Sequence, residues 1–599
     1  MRNRLALAAI LAGSGVCSRA AAVTIDVDGA AAIAPLQRVW SYYGYDEANY
    51  TTSAEGVELL RDLSRLHTAP VYVRTHFLFN TGDGVPALKW GSTNIYTADA
   101  DGNVVRNYGL IDQIMDATLQ AGAFPLFQLG FMPEALSTRP KPYQNSSTYV
   151  LDGGCFSPPH DYDEWSALVS AWAEHAKERY PQTVSRWQWE LWNEPDIGYW
   201  QGSFEEYARL YDHTEAALHR VLPDASLGGP AVANPSGSFL TRFLEHCAAG
   251  TNAVTGQVGA RLDMVSFHAK GGVTFKDGLV QLNLGNQLSL HRAGFEAVAK
   301  SAFARAPIVI SEADPDGCAA CPVSTQPANA YRNSSAYGAY EVAMMKHTLD
   351  LADETGVNLR GVLTWAFTFP GSPFFAGYRA LATNGIHLPV LNAFKLLGSL
   401  EGQRLSLTSS GARPAASIMK DGVREQPEVD ALAAVRGDRI QVLVWNYHDE
   451  LAPAEPAHVA LNVALPRRFG ASALVTEVRV DSTHGDAYGV WTAQGSPEVP
   501  SDQQLAELRG AMEPVVLQPE HLVDASDGTL RLTFELPRFG LSLFTIAPTG
   551  PGPRELSPRG GSCRLTATQA PSSALLTLSV AAAILRRRRR AVLRRRRRG

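Results

Sequence analysis

Cysteine is scarce in this sequence, with 6 among 599 residues. Two of them, Cys17 and Cys563, lie near the two ends, and the others are Cys155, Cys247, Cys318 and Cys321. No second Cys/His pair with ligand spacing accompanies Cys318-Ala-Ala-Cys321, which argues against a structural zinc site. One or two structural disulfides are the favoured interpretation, with a zinc half-site or a redox pair as alternatives, and no metal or organic cofactor is predicted.

Charged residues make up only 19% of the chain, and repeats of short period are absent. Apolar residues make up 45%, which predicts a folded globular protein and excludes a disordered one. The formal net charge of −6 includes ten arginines among the last fourteen residues, at 586–590 and 594–598. Without those ten arginines the remaining chain carries −16. Such an acidic body argues against a nucleic-acid partner.

Long hydrophobic runs are also missing, and the two short ones lie at the ends. A basic start, an apolar run over 5–16 and small residues at 20–23 predict a secretory signal peptide over 1–22. Near the other end, an apolar run over 574–585 precedes the arginines and is shorter than the about 20 residues of a membrane span.

A cysteine, a short apolar segment and an arginine cluster follow one another at the C-terminus. This order resembles the C-terminal sorting tails of myxobacterial surface proteins, whereas the alternative is a disordered basic tail. We therefore predict a linker over 548–573 and a membrane or sorting tail over 574–599. The resemblance implies export to the cell surface or the medium, with a sorting protease and the membrane as possible partners.

Between about residues 36 and 400, apolar strand-like runs alternate with amphipathic stretches. Eight βα units over this length predict a (β/α)8 TIM barrel in the α/β class, with its site at the C-terminal ends of the strands. The eight predicted strands are Val39–Gly44, Val71–His76, Phe124–Leu129, Trp187–Trp192, Ser226–Pro230, Met264–His268, Ile308–Glu312 and Val362–Phe367.

After about residue 400 the pattern changes to strands of alternating polarity separated by turns. It predicts an antiparallel β-sandwich over 401–547, to which residues 23–35 add a strand. The strands predicted within it are Arg439–Asn446, Val459–Leu465, Ser472–Asp481, Thr529–Glu535 and Leu541–Ile546.

Two carboxylates follow barrel strands four and seven, where a barrel has its active site. Glu194 follows Asn193, and Glu312 ends the seventh predicted strand. Hydrolysis of a glycosidic bond with retention needs a nucleophile and an acid about 5–5.5 Å apart. Glu194 is the predicted acid/base, Glu312 the predicted nucleophile, and Asn193 a hydrogen-bond partner of a sugar hydroxyl. Taken singly, a helix cap and a buried ion-pair partner are the structural alternatives.

The ordered motifs resemble glycoside hydrolase family 39, the family of β-D-xylosidases and α-L-iduronidase. The resemblance covers about residues 36 to 547, and it implies a barrel with a sandwich and the same roles for Glu194 and Glu312. The matching segments are Val73–His76, Phe127–Pro133, Leu191–Pro195, Gly228–Pro230, Ser266–His268, Ile310–Glu312, Pro389–Phe394, Leu443–Tyr447 and Asp486–Trp491.

The sugar is less well specified than the reaction. The commonest bacterial activity of the family implies an exo-acting β-D-xylosidase-like enzyme, whereas His268-Ala-Lys270 is closer to the iduronidase pattern, in which this lysine meets a sugar carboxylate. Lys270 pairing with an acidic wall residue is the equally weighted alternative. Arabinosidase activity, endo-action and a non-catalytic carbohydrate-binding surface protein also stay open. The other predicted substrate-binding residues are Arg74, His76, His268, Trp365 and Arg379, and further candidates are Tyr43, Tyr45, Asp46 and Phe131.

Overall fold

The computed structural model describes residues 22–144 and 152–550. Within them, eight parallel strands form a closed barrel in chain order, and strand eight pairs with strand one through Leu363 and Tyr42. This confirms the predicted TIM barrel. Barrel strands one to eight are Tyr42–Tyr45, Val71–Thr75, Ala123–Leu129, Gln188–Leu191, Ser226–Val232, Met264–Lys270, Pro307–Asp314 and Asn358–Thr364.

A helix follows each barrel strand and covers the outside of the barrel. The helix Phe204–Val221 shows how the sequence specifies them: Ser203 and Glu206 form a capping box at its start. Its buried residues Tyr207, Leu210 and Leu218 recur at the spacing of one helix face. The eight helices are Ala54–Leu66, Gly109–Gln120, Tyr162–Arg179, Phe204–Val221, Ser238–Ala249, Leu284–Ala299, Ser335–Thr355 and Pro389–Ser399.

The first and last barrel strands lie a few residues away from their predicted positions. Val39 and Trp40 are fully buried but precede strand one. Strand eight already begins at Asn358, although Arg360 and Gly361 interrupt the apolar pattern, and its pairing with strand seven skips Arg360. At strand one the apolar run begins before the first paired residue, and at strand eight the paired residues begin before the apolar run. The apolar runs therefore did not mark the ends of these two strands.

Nine further strands form one continuous sheet whose strands share a second hydrophobic core. Seven of its eight strand pairs are antiparallel, and the added N-terminal strand pairs in parallel with Val459–Ala464 through Val23–Asp28. The nine strands are Val23–Pro35, Gln403–Ser409, Glu428–Arg436, Arg439–Tyr447, Ala457–Ala464, Ser472–Val480, Val515–Asp524, Thr529–Leu536 and Leu541–Pro548.

Three of these nine strands were not predicted. Val515–Asp524 is exposed along most of its length and contains Pro519, so it has no alternation of buried and exposed residues to recognise. Gln403–Ser409 is similarly polar, whereas Glu428–Arg436 is almost wholly buried and has two acidic residues among its first three. Those two acids pair with the barrel: Glu428 lies 2.7 Å from His347 Nε2, and Asp430 lies 3.0 Å from Lys346 Nζ. Three short helices complete this part of the chain, Ala415–Asp421, Ala487–Ala493 and Asp502–Ala511.

Cys318 and Cys321 form a disulfide, as the favoured interpretation of this pair predicted, and Cys155 and Cys247 are buried free thiols. The sorting tail predicted over 574–599 and nearly all of the predicted signal peptide and linker lie outside the described residues, as do Cys17 and Cys563. In the part of the chain that the structure describes, no helix is long and apolar enough to cross a membrane.

Candidate active site

The C-terminal ends of the barrel strands bring the predicted polar residues to one place. Arg74 lies near the end of strand two and His76 just after it. Asn193 and Glu194 lie in the loop after strand four, His268 and Lys270 end strand six, Glu312 lies near the end of strand seven, and Trp365 follows strand eight. Because all eight strands are parallel, these positions share one mouth of the barrel.

Glu194 projects from a constrained turn after strand four. Its backbone has φ of 43° and that of Trp192 has φ of 66°, both in the left-handed region that side chains disfavour. Hydrogen bonds hold the turn: Glu194 N donates to Ala231 O at 2.9 Å, and Trp192 Nε1 donates to Tyr199 O at 2.7 Å. Unfavourable backbone of this kind persists where surrounding contacts fix it, typically at functional sites.

Glu312 is bound by cations on both of its oxygens. Oε1 lies 3.2 Å from Arg74 Nη1, and Oε2 lies 2.8 Å from Lys270 Nζ. Burial alone would raise the pKa of this carboxyl, but Lys270, His268, Arg74 and His76 hold the pKa well below its ordinary value. Glu312 is therefore an ionised carboxylate at neutral pH.

Glu194 and Glu312 face one another across His268. His268 Nδ1 lies 2.9 Å from Glu194 Oε1 and 3.7 Å from Glu312 Oε1. One carboxylate oxygen of each glutamate and a ring nitrogen of His268 all lie within 4.8 Å of one another. The side chain of Glu194 is 15% exposed, against 7% for Glu312. Such a separation leaves no room for a water between the two carboxylates of the kind an inverting enzyme needs.

Arg74 contacts Glu312 and also the residues at the end of strand four. It is fully buried and forms an ion pair with Glu190, and its Nη2 donates to Asn193 Oδ1 at 2.9 Å. Asn193 Nδ2 is buried and has no hydrogen-bond partner among the described residues. An unpaired buried donor is unfavourable by itself, so this amide is available to bind a hydroxyl of a substrate.

His76 is held between Arg74 and Asp46. Its Nδ1 lies 2.8 Å from Asp46 Oδ1, and its Nε2 lies 3.0 Å from Arg74 Nη1. Since an arginine only donates, we assign the proton to Nδ1 and the accepting lone pair to Nε2. Burial lowers the pKa of His76, so the ring is neutral at neutral pH.

Aromatic rings form the walls next to His76. The Trp365 ring lies 4.3 Å from the His76 ring, and the Arg74 guanidinium lies 5.2 Å from the centroid of Trp365. Phe131 lies 5.7 Å from His76 and stacks with Tyr199 at 5.6 Å. Apolar ring faces beside polar groups are suited to a sugar, which has apolar C–H faces and polar edges.

Lys270 and Arg379, the two predicted cations for a sugar carboxylate, have protein partners. Lys270 Nζ lies 2.8 Å from Glu312 and 2.8 Å from Asp314. Arg379 is fully buried behind Asp314, and its guanidinium donates to the carbonyl oxygens of Trp365 and Asp316. The direct sugar contact stays a prediction for Arg379, because its buried Nη2 has no hydrogen-bond partner among the described residues, while Nε and Nη1 hold the loops after strands seven and eight.

Three residues of the mouth had no assigned role in the sequence analysis. Glu190 lies between two apolar residues in the strand Gln188–Leu191, and its polarity at a fully buried position was the signal that it pairs inside the barrel. Lys89 and Tyr199 lie in loops, where no periodicity or motif predicts their position. Lys89 Nζ reaches Asp46 Oδ2 at 3.2 Å and also interacts electrostatically with Tyr199.

Known proteins share this architecture. The sequence model of the family described as glycosyl hydrolases family 39 matches residues 23–528. A β-xylosidase of Geobacillus stearothermophilus is 26% identical over 492 residues, which are 80% of this chain and 88% of that protein. The α-L-iduronidase of Homo sapiens is 27% identical over 583 residues, which are 91% of this chain and 82% of that protein.

Solved structures agree with the fold. The crystal structure of a monomeric β-xylosidase from Caulobacter crescentus superimposes with a TM-score of 0.69 at 23% identity. The match covers 88% of this chain and 100% of that one. At this level of identity the likeness shows a common fold.

Proposed function

The chain belongs to glycoside hydrolase family 39, a family of retaining enzymes, and we propose that it is an exo-acting β-D-xylosidase-like member. The proposal assigns Glu194 as acid/base and Glu312 as nucleophile. The observation that carries it is the placement of these two carboxylates within 4.8 Å of one another, one bound by cations and the other hydrogen-bonded to a histidine.

In the first step, Glu312 attacks the anomeric carbon and forms a glycosyl ester. Arg74 and Lys270 keep the carboxylate ionised and oriented, so it is ready to act as a nucleophile. Glu194, in its protonated form, gives its proton to the leaving oxygen as the glycosidic bond breaks. Its partial exposure places it on the open side of the site, where the leaving group departs.

In the second step, water attacks the glycosyl ester from the side that the leaving group has vacated. Glu194 is now a carboxylate and takes a proton from that water, and the sugar leaves with its original anomeric configuration. The negative charge returns to Glu312, where Lys270 and Arg74 stabilise it. The unpaired Nδ2 of Asn193 binds a sugar hydroxyl through both steps.

The charges of the mouth favour a neutral sugar. Lys270 is bound to Glu312 and Asp314, Arg379 lies near Asp314, and Lys89 is bound to Asp46. A sugar carboxylate would have to share a cation that already neutralises a buried carboxylate, which is less favourable than a cation of its own. A pentopyranoside such as a xyloside has no such group and leaves every ion pair intact.

The specific observation that favours a uronide is the position of Lys270. Its ammonium lies beside the nucleophile and its side chain is 17% exposed, so it is near enough to meet a carboxylate on the sugar. An α-L-iduronidase-like activity is the second candidate for this reason. Both activities occur among the relatives at similar identity, so the similarities to them do not separate the two.

We also propose that the enzyme is exported and acts at the cell surface or in the medium. The basic, apolar and small-residue order of 1–22 supports export, and the cysteine, apolar run and arginines after 562 support a sorting tail. The Cys318–Cys321 disulfide is compatible with an oxidising compartment.

A screen of para-nitrophenyl glycosides tests the substrate. The proposal predicts the highest kcat/KM with the β-D-xyloside, lower values with arabinosides, and release of single sugars from xylo-oligosaccharides. Faster hydrolysis of an α-L-iduronide would replace the xylosidase assignment with the uronidase one. Turnover of none of these glycosides by folded protein would contradict the enzymatic proposal and favour a carbohydrate-binding function.

A further inference from the structure

Lys89 brings a second ammonium group to the barrel mouth, on the side away from Lys270. Its Nζ lies 3.2 Å from Asp46 Oδ2, and the other oxygen of Asp46 lies 2.8 Å from His76 Nδ1. Asp46 is 2% exposed, and its two oxygens have different partners, His76 on Oδ1 and Lys89 on Oδ2. The Lys89 ammonium is therefore linked to the residues of the barrel mouth through Asp46 and His76.

The backbone of Lys89 is fixed in an unfavourable conformation. Its φ is 56°, in the left-handed region, and its amide donates to Glu47 Oε1 at 2.7 Å. The next residue, Trp90, packs against Phe77 at 5.0 Å between ring centroids. A long charged side chain on a solvated loop would not need such fixed backbone, so the loop is built to aim this side chain.

Tyr199 locates the Lys89 ammonium within the site. The Lys89 ammonium and the Tyr199 hydroxyl interact electrostatically, as do Glu194 and Glu312 with that hydroxyl. Tyr199 also stacks on Phe131, one of the aromatic walls. The ammonium is thus part of the same pocket wall as the catalytic pair, although the His76 ring and Asp46 separate it from Glu312.

The donors of Lys89 are not all used. An ammonium has three protons, of which one meets Asp46 and a second is assigned to the electrostatic contact with Tyr199. The side chain keeps 16% of its surface exposed, against 2% for Asp46. The remaining proton and the hydroxyl proton of Tyr199 are two donors on one side of the pocket. Two adjacent donors on a wall whose charge is already balanced recognise a neutral oxygen acceptor.

We propose that Lys89 binds a hydroxyl group of the terminal sugar, at the far end of the ring from the bond that breaks. This inference rests on the proposed glycosidase function and names a substrate-binding residue for it. The far end follows from the intervening His76 and Asp46, because Glu312 reaches the anomeric carbon and Lys89 lies beyond them. In a xyloside the hydroxyls at that end are those on C3 and C4.

A different role for Lys89 makes a different prediction. If it only neutralised Asp46, and through Asp46 oriented His76, its loss would slow all substrates by the same factor. If it binds a hydroxyl, its loss matters only when the hydroxyl is present. A double cycle of enzyme variant and substrate analogue separates these two roles.

The experiment compares Lys89→Met and Lys89→Arg with the unmutated full-length enzyme. Each is assayed on the aryl glycoside that the unmutated enzyme hydrolyses best and on analogues that lack the C3 or the C4 hydroxyl. Lys300→Met, at an exposed lysine directly after the helix Leu284–Ala299, is the matched control. Circular dichroism and thermal unfolding of each variant confirm its fold, and Lys89→Arg keeps the charge beside Asp46 if Lys89→Met is unstable.

The expected result is a loss in kcat/KM of roughly ten- to hundred-fold for Lys89→Met on the parent glycoside, which is the range for a hydrogen bond to a charged group. On one deoxy analogue the same variant should lose less than about threefold, because the hydroxyl is already missing. Equal losses on the parent and both analogues, or no loss on the parent, would overturn the proposal. The preference of the unmutated enzyme among glycosides tests the proposed substrate separately.

Discussion

Lys270 Nζ lies 2.8 Å from Glu312 Oε2 and 2.8 Å from Asp314 Oδ2, so one ammonium binds the proposed nucleophile and its neighbour two residues on. The lysine thereby opposes the rise in pKa that burial would cause at Glu312. The first role of Lys270 is to keep the nucleophile ionised, and a contact with the sugar is secondary.

Lys270→Met should therefore impair the hydrolysis of neutral glycosides. Loss of a charge-assisted hydrogen bond corresponds to roughly a ten- to hundred-fold fall in kcat/KM. The acidic limb of the pH profile should move to higher pH, because the pKa of Glu312 rises when its cation is removed. Lys300→Met serves as the control. Unchanged xyloside hydrolysis with lost uronide hydrolysis would show instead that Lys270 binds a sugar carboxylate.

Glu194→Ala should discriminate between leaving groups. General acid catalysis typically contributes about 10²- to 10⁴-fold, and a good leaving group needs little of it. We expect the variant to retain much of its activity on a dinitrophenyl glycoside and to lose most of it on a xylo-oligosaccharide. Steady-state kinetics on the two substrates measure this. An equal loss on both would argue that Glu194 is not the acid.

Because of Glu47, the free energy of unfolding should decrease as the pH rises from weakly acidic to weakly basic. Burial and the neighbouring Asp46 raise the pKa of Glu47 to about 8. The folded chain then holds a proton that the unfolded chain releases near its ordinary pKa, so this contribution is complete below that pKa and is lost as pH rises to about 8. Each unit of difference between the two pKa values is equivalent to about 1.4 kcal/mol.

Glu47→Gln stays neutral and should be less sensitive to pH than the unmutated protein. Urea unfolding at about pH 5 and about pH 8 should show a smaller drop in the free energy of unfolding for this variant, by at least about 1 kcal/mol. Glu58→Gln, at an exposed glutamate, should keep the pH dependence of the unmutated protein. The same drop in all three proteins would show that Glu47 does not hold its proton.

The proposed sorting tail predicts proteolytic processing. Mass spectrometry of the protein isolated from its native host should find a mature chain that lacks the signal peptide and ends near Cys563, without the arginines. A mature chain that ends at Gly599 would contradict the sorting tail, and one that begins at Met1 would contradict export.

Much of this site could be predicted because barrel topology converts strand ends into neighbours. Glu194 and Glu312 lie 118 positions apart in the chain, yet each follows a recognisable apolar strand, and the parallel barrel brings them together. The same reasoning placed Arg74, His76 and His268 correctly at the mouth. The resemblance to a family added their roles.

Residues in loops could not be placed in this way. Lys89 and Tyr199 reach the pocket through loop backbone that no periodicity describes, and Arg379 lies in a loop that buries it near Asp314. The parallel pairing of Val23–Asp28 with Val459–Ala464 joins distant parts of the chain and leaves no local pattern. Such long-range contacts depend on how loops pack, which local sequence patterns do not specify.

The assignment of the nucleophile is tested most directly by chemical rescue of Glu312→Ala. This variant should be inactive on an aryl β-D-xyloside, because the carboxylate that Arg74 and Lys270 hold beside the anomeric carbon is gone. Azide fits the vacated space and attacks from the same side. The account predicts a glycosyl azide of inverted configuration, identified by nuclear magnetic resonance, whereas a glycosyl azide of retained configuration would exchange the roles of Glu194 and Glu312.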